Sequence, residues 1–113
     1  MQPIKIKLTY MELVQLSAYV HAAGKKAYHP QAREELIVLA EYAPVIQKRL
    51  VASHSRDHRK PFPYSMPVSI ARILHRRWQH ECIVNDLQMV LSALDYELTR
   101  RDMKLDPVKP QMF

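Results

Sequence analysis

The stretch "LVASHSRDHRKPFPYSMP", residues 50–67, decides how the chain is divided. It packs two His, three basic residues and three Pro into eighteen positions. Pro61 and Pro63 flank Phe62. A residue before proline is pushed out of helical geometry. Residues 54–65 are therefore expected to form a loop between two helices. Pro67 can start the second of them, with Ser65 or Met66 at its cap.

Upstream of the loop, "REELIVLAEYA" is apolar from Leu36 to Ala40. So broad an apolar run predicts a central, buried helix. Pro30 can open it, since proline lacks the N–H that the first turn leaves unpaired. Pro44 removes a donor and crowds the preceding turn, so the helix is expected to kink or break there and end near Ser53.

Downstream, no Gly or Pro occurs between residues 68 and 106. One long helix is allowed on that ground. The apolar positions argue against it. Ile70, Ile73, Leu74 and Trp78 form one stripe, while Leu87, Val90, Leu91, Leu94 and Leu98 form another, rotated by roughly 120°. "HRRWQHE" between them is polar, and "NDLQ" has the spacing of a capping box. A break between Gln79 and Asp86 follows.

Near the N-terminus, Thr9 stands three residues before Glu12, another capping-box spacing. Leu13, Leu16 and Val20 then share a face, with Val14 alongside. Gly24 fits the C′ position, where a positive φ is wanted. "IKIKL", residues 4–8, alternates with period two and predicts a short strand. Its partner is either "MKLDPVK" in the tail, or none, with both termini lying as extended arms on the helices. The expected fold is all-α: a small bundle or orthogonal array of four or five helices with short extended terminal arms, in one domain spanning residues 1–113.

Composition agrees with a helical domain. The 113 residues are 48% hydrophobic and 25% charged, with one Gly and one Cys. Tight β-turns use more glycine than this. A single cysteine, Cys82, permits no intrachain disulfide and no Cys-pair zinc motif. Glu12, Gln15 and His21 interrupt the first apolar run, which a signal peptide would keep continuous. No stretch approaches the roughly 18 apolar residues of a membrane span. A cytoplasmic protein without membrane contact is expected.

The net charge of +6 is uneven. Residues 48–81 carry eight basic and two acidic side chains, which equals the whole excess. Such a cluster attracts polyanions or acidic protein surfaces. Arg56, Arg59 and Lys60 on the loop and Arg72 and Arg76 on the following helix are candidate phosphate contacts. Tyr64 and Trp78 are candidate stacking partners for bases. Arg77 falls on the apolar stripe, one turn from Glu81, and is expected to form an ion pair instead.

Other constellations are weaker. His54 and His58 have a metal-ligand spacing, but Arg56, Arg59 and Lys60 oppose a cation there. His75, His80, Glu81 and Cys82 hold zinc or thiol chemistry only if the chain bends, and Cys82 is expected to be core. "VSIARILHRRW" resembles the first helix of a helix-turn-helix. However, His75 stands where that turn usually has Gly, and Glu81 where an apolar residue would pack. No catalytic constellation, metal or cofactor is expected. The leading expectation is a non-catalytic module whose basic middle third contacts nucleic acid. The alternative is a homodimer or other protein assembly built on Leu87, Leu91, Leu94 and Leu98, which keep near-heptad spacing.

Overall fold

Ile4, Ile6 and Leu8 alternate with Lys5 and Lys7, and the chain uses that alternation as a strand. In the computed structural model, which describes residues 2–28, 33–55 and 58–100, strand β1 is Ile4–Leu8 and helix α1 is Tyr10–Lys25. A short 3-10 turn, Lys26–Tyr28, precedes helix α2, Glu34–Ser53. Strand β2 is Phe62–Met66, followed by helices α3, Val68–Trp78, and α4, Asn85–Arg100. The fold is predominantly helical, but the sheet corrects the all-α expectation.

The partner of β1 is β2, which lies inside the stretch expected to be a loop. The strands are antiparallel, with Ile4 opposite Met66, Ile6 opposite Tyr64 and Leu8 opposite Phe62. Both strands bury alternate residues. "FPYSM" therefore has the same period as "IKIKL", with two prolines obscuring it. Proline is tolerated in an edge strand where its missing N–H would point away from the partner. Pro63 occupies such a position: it stands opposite Lys7, and its carbonyl turns outward to accept from Arg49 Nη2 at 2.9 Å. The tail segment considered as partner, and Pro30, lie outside the described residues.

The capping box forms as the sequence predicts. Thr9 Oγ1 accepts from the Glu12 amide at 3.3 Å, and Glu12 Oε1 accepts from the Thr9 amide at 2.9 Å. Gly24 differs. It lies inside α1, and the C-cap is Lys26 with an ordinary helical φ of −74°. A Cβ on Gly24 would sit 3.0 Å from Ala40 Cα and 3.3 Å from Ala40 Cβ. Glycine is there because α1 and α2 approach closely, not because the backbone is left-handed.

Helix α2 runs unbroken through Pro44 to Ser53. Leu36, Leu39, Ala43 and Ile46 face the core, whereas Pro44 is exposed. On that side water can satisfy the carbonyl that proline leaves unbonded, so the expected break does not form. The break after α3 does form, over residues 79–84. It lets Ile70, Leu74 and Trp78 from α3 and Leu87, Val90, Leu94 and Leu98 from α4 join one core cluster. Helix α3 is capped by Pro67 itself, one residue later than expected.

Gly24→Ala is expected to destabilise the protein by about 1–3 kcal/mol through overpacking, against a helix-propensity gain of about 1 kcal/mol. Equilibrium urea unfolding measures it, with Ser92→Ala on the exposed side of α4 as control. A raised midpoint for Gly24→Ala would show that the helices can part without cost.

Candidate nucleic-acid interface

A two-stranded sheet with one face in the core has its other face in solvent. Here that face carries Lys5 and Lys7 from β1 and Pro63 and Ser65 from β2, all exposed. Lys7 stands opposite Pro63 and Lys5 opposite Ser65. Neither strand contributes an acidic residue, so the face is positive.

The rim adds further charge. Exposed Arg59 and Lys60 come just before β2, at its Phe62 end. Arg72 lies beyond the other end, lining a groove with Pro3, Ser65 and Ser69. Lys48 of α2 lines a second groove with Val45, Ala52, Pro63 and Ser65 along the β2 edge. Arg49 is held in place. It bonds the Pro63 carbonyl, and its Cζ lies 5.7 Å from the Phe62 ring centroid and 6.0 Å from that of Tyr64. Arg56 lies outside the described residues.

Three of the expected site residues have other roles. Tyr64 is 3% exposed and Trp78 is 2% exposed, so neither ring can stack on a base. Tyr64 follows the inward phase of β2, and its hydroxyl hydrogen-bonds that of Tyr42. Burial holds the Tyr42 hydroxyl well above the ordinary tyrosine value, reinforced by Tyr64. Burial also raises Tyr64, against the lowering pull of Tyr42 and Arg49. Trp78 packs edge-on against Tyr19, with ring centroids 5.4 Å apart. Arg76 is bound to Glu35 of α2, its Nε donating to Oε2 at 2.8 Å.

Arg77 forms the expected ion pair with Glu81 at 3.3 Å and more besides. Its Nε donates to the Tyr19 hydroxyl at 3.2 Å, and Nη1 lies 3.6 Å from Glu35 Oε1. The Tyr19 hydroxyl in turn donates to Glu81 at 3.0 Å. These contacts, led by the Tyr19 hydrogen bond, raise the Arg77 pKa. Arg76 and Arg77 thus tie α3 to α1 and α2.

The leucine line expected to form an oligomer interface is core. Leu87, Leu94 and Leu98 are buried, and Leu91 is half-buried against them. Met89 and Tyr96 face outward on α4 instead. Cys82, expected in the core, is exposed in the segment joining α3 to α4. His58 Nε2 lies 2.9 Å from the His54 carbonyl oxygen, and its ring stacks on Tyr10 at 4.2 Å. Among the described residues, no three His, Cys, Asp or Glu are grouped to hold a metal ion. No described helix is long and apolar enough to cross a membrane.

The sequence reading placed the basic site on the loop and α3, missing Lys5 and Lys7. The signal was present in "IKIKL": period two puts both lysines on the face opposite Ile4, Ile6 and Leu8.

The buried tyrosine pair yields a test. Tyr42→Phe or Tyr64→Phe alone leaves one buried hydroxyl without its partner, at a cost of about 1–3 kcal/mol each. The double variant removes both groups, so urea unfolding is expected to show a loss well below the sum of the singles. Both hydroxyls are raised above the ordinary value of 10.0 on folding. Their contribution is therefore complete below that pH and falls as pH climbs towards the raised folded values. A double variant as alkali-sensitive as the wild type would remove the pair as the cause.

The chain matches no known protein-family model, no curated protein and no solved structure.

Proposed function

We propose that the protein is a non-catalytic module that binds nucleic acid through its phosphates, using the outer face of the β1–β2 sheet. The observation that carries this reading is the outward phase of Lys5 and Lys7 on a sheet face to which neither strand contributes an acidic residue. Arg59 and Lys60 extend the positive surface past one end of the strands, and Arg72 past the other. Alternate residues on a strand lie about 7 Å apart, so the two lysines can meet successive phosphates along a backbone. Such contacts carry affinity but little sequence information.

Fluorescence anisotropy with a labelled oligonucleotide, across a salt series, tests the reading. The Lys5→Ala, Lys7→Ala double variant is expected to bind about tenfold more weakly. Its salt dependence should flatten by roughly 0.7 to 0.9 per lost contact. Both side chains are exposed, so its unfolding midpoint should match the wild type. Unchanged affinity would remove the sheet face from the site. No binding by the wild type at low salt would end the nucleic-acid reading.

A second reading, a homodimer, rests on a separate observation. Ile37, Pro44 and Val51 stand exposed seven residues apart, on one side of α2. Large exposed apolar side chains grouped on one face mark association sites. Light scattering is expected to give twice the monomer mass, and Ile37→Glu with Val51→Glu to restore the monomer. A monomer at every concentration would end this reading.

A further inference from the structure

We propose that the groove between β1 and α4 seats an unpaired nucleotide, with Tyr96 as its stacking platform, so that the module prefers single-stranded nucleic acid to duplex. The inference rests on the phosphate-binding reading above and adds the class of strand. The groove encloses about 550 Å³ and is lined by Lys5, Lys7, Pro63, Ala93, Tyr96 and Glu97. It therefore opens beside the two lysines already assigned to phosphate.

Tyr96 is 67% exposed. The other aromatic rings whose burial is described are buried or half-buried: Tyr42, Phe62, Tyr64 and Trp78 in the core, Tyr10 and Tyr19 at its margin. A large ring in solvent, on a helix whose leucines all turn inward, contributes nothing to the core. Stacking on a base would remove its face from water, and any base can serve because each has a π-face. Pro63 and Ala93 give the groove an apolar lining on which a sugar or base edge can rest.

The acidic residue in the lining does not defeat the site. Glu97 pairs with Arg100 at 2.9 Å, and its side chain is only 17% exposed. With Glu97 offset by Arg100, the net charge of the groove comes from Lys5 and Lys7. A duplex can bring its phosphates to these lysines, but its bases are stacked inside it and cannot reach Tyr96. A single strand can meet both.

The experiment compares a labelled mixed-sequence DNA single strand with its duplex, by anisotropy at fixed low salt, on the full chain. The wild type is expected to bind the single strand roughly tenfold more tightly. Tyr96→Ala should abolish that excess while leaving duplex affinity and salt dependence unchanged. Tyr96→Phe should keep it, since the ring alone stacks. Tyr96 is exposed, so circular dichroism should report unaltered folding for both variants. Unchanged single-strand binding by Tyr96→Ala, or equal losses on both probes, overturns the inference and leaves the phosphate reading standing. Failure of the wild type to bind either probe overturns both. In Lys5→Ala, Lys7→Ala both probes should bind more weakly while the excess for single strand survives; single-strand affinity unchanged in that variant would place the nucleotide elsewhere and overturn the groove.

Discussion

The pairing of β1 with β2 is the constraint from which the rest of the structure follows. It joins the start of the chain to its middle, and each strand runs into a helix after one residue, through Thr9 or Pro67. Because the strands are antiparallel, α1 and α3 leave from opposite ends of the sheet. The inner face, made of Ile4, Ile6, Leu8, Phe62, Tyr64 and Met66, is buried in the core cluster to which all four helices contribute. A slip of one residue would turn Lys5 and Lys7 into that core. Burying two unpaired ammonium groups costs far more than any single apolar contact returns. Register is thus fixed by burial, and the lysines' place on the outer face is fixed with it.

Two kinds of contact then set the helices. Apolar packing dominates by magnitude, since each fully buried Leu or Ile side chain contributes about 1.5–3 kcal/mol. Leu13, Leu16, Leu39, Ile46, Leu74, Leu94 and Leu98 are all in this class. Polar contacts add less. The pairs among Arg76, Arg77, Glu35 and Glu81 are partly exposed, and such pairs contribute about 0–1 kcal/mol each. Their effect lies in geometry. Arg77 alone reaches Tyr19 on α1, Glu35 on α2 and Glu81 beyond α3, so the end of α3 has one position relative to its neighbours.

What the sequence made legible was local. The Thr9–Glu12 box, the strand at residues 4–8, the end of α2 at Ser53 and the break between α3 and α4 each rest on residues within a few positions of one another. What it concealed was nonlocal. Pro61 and Pro63 argue for a loop until a partner strand is known and an outward position for the missing N–H is available. Gly24 suggests a left-handed cap until Ala40 is seen against it. Tyr64 sits among basic residues in sequence, but β2, once paired with β1, turns its ring inward onto Tyr42. Arg76 looks like a free cation until α2 brings Glu35 to it. In each case the deciding neighbour is more than a dozen residues away.

The candidate site inherits its precision from the core rather than from contacts of its own. Lys5 and Lys7 are spaced by the pleat whose other side is Ile4, Ile6 and Leu8. Tyr96 is aimed outward by the same helical turn that sends Leu94 and Leu98 inward. Lysines along an edge strand also discourage sheet-to-sheet association, so their presence alone does not require a ligand. That second reason does not extend to Tyr96, because an exposed ring beside an open strand edge invites association rather than deterring it. The lysines and the ring have opposite effects on solubility yet line the same groove. A ligand that is both anionic and flat satisfies both, and an unpaired nucleotide has those two properties in one residue.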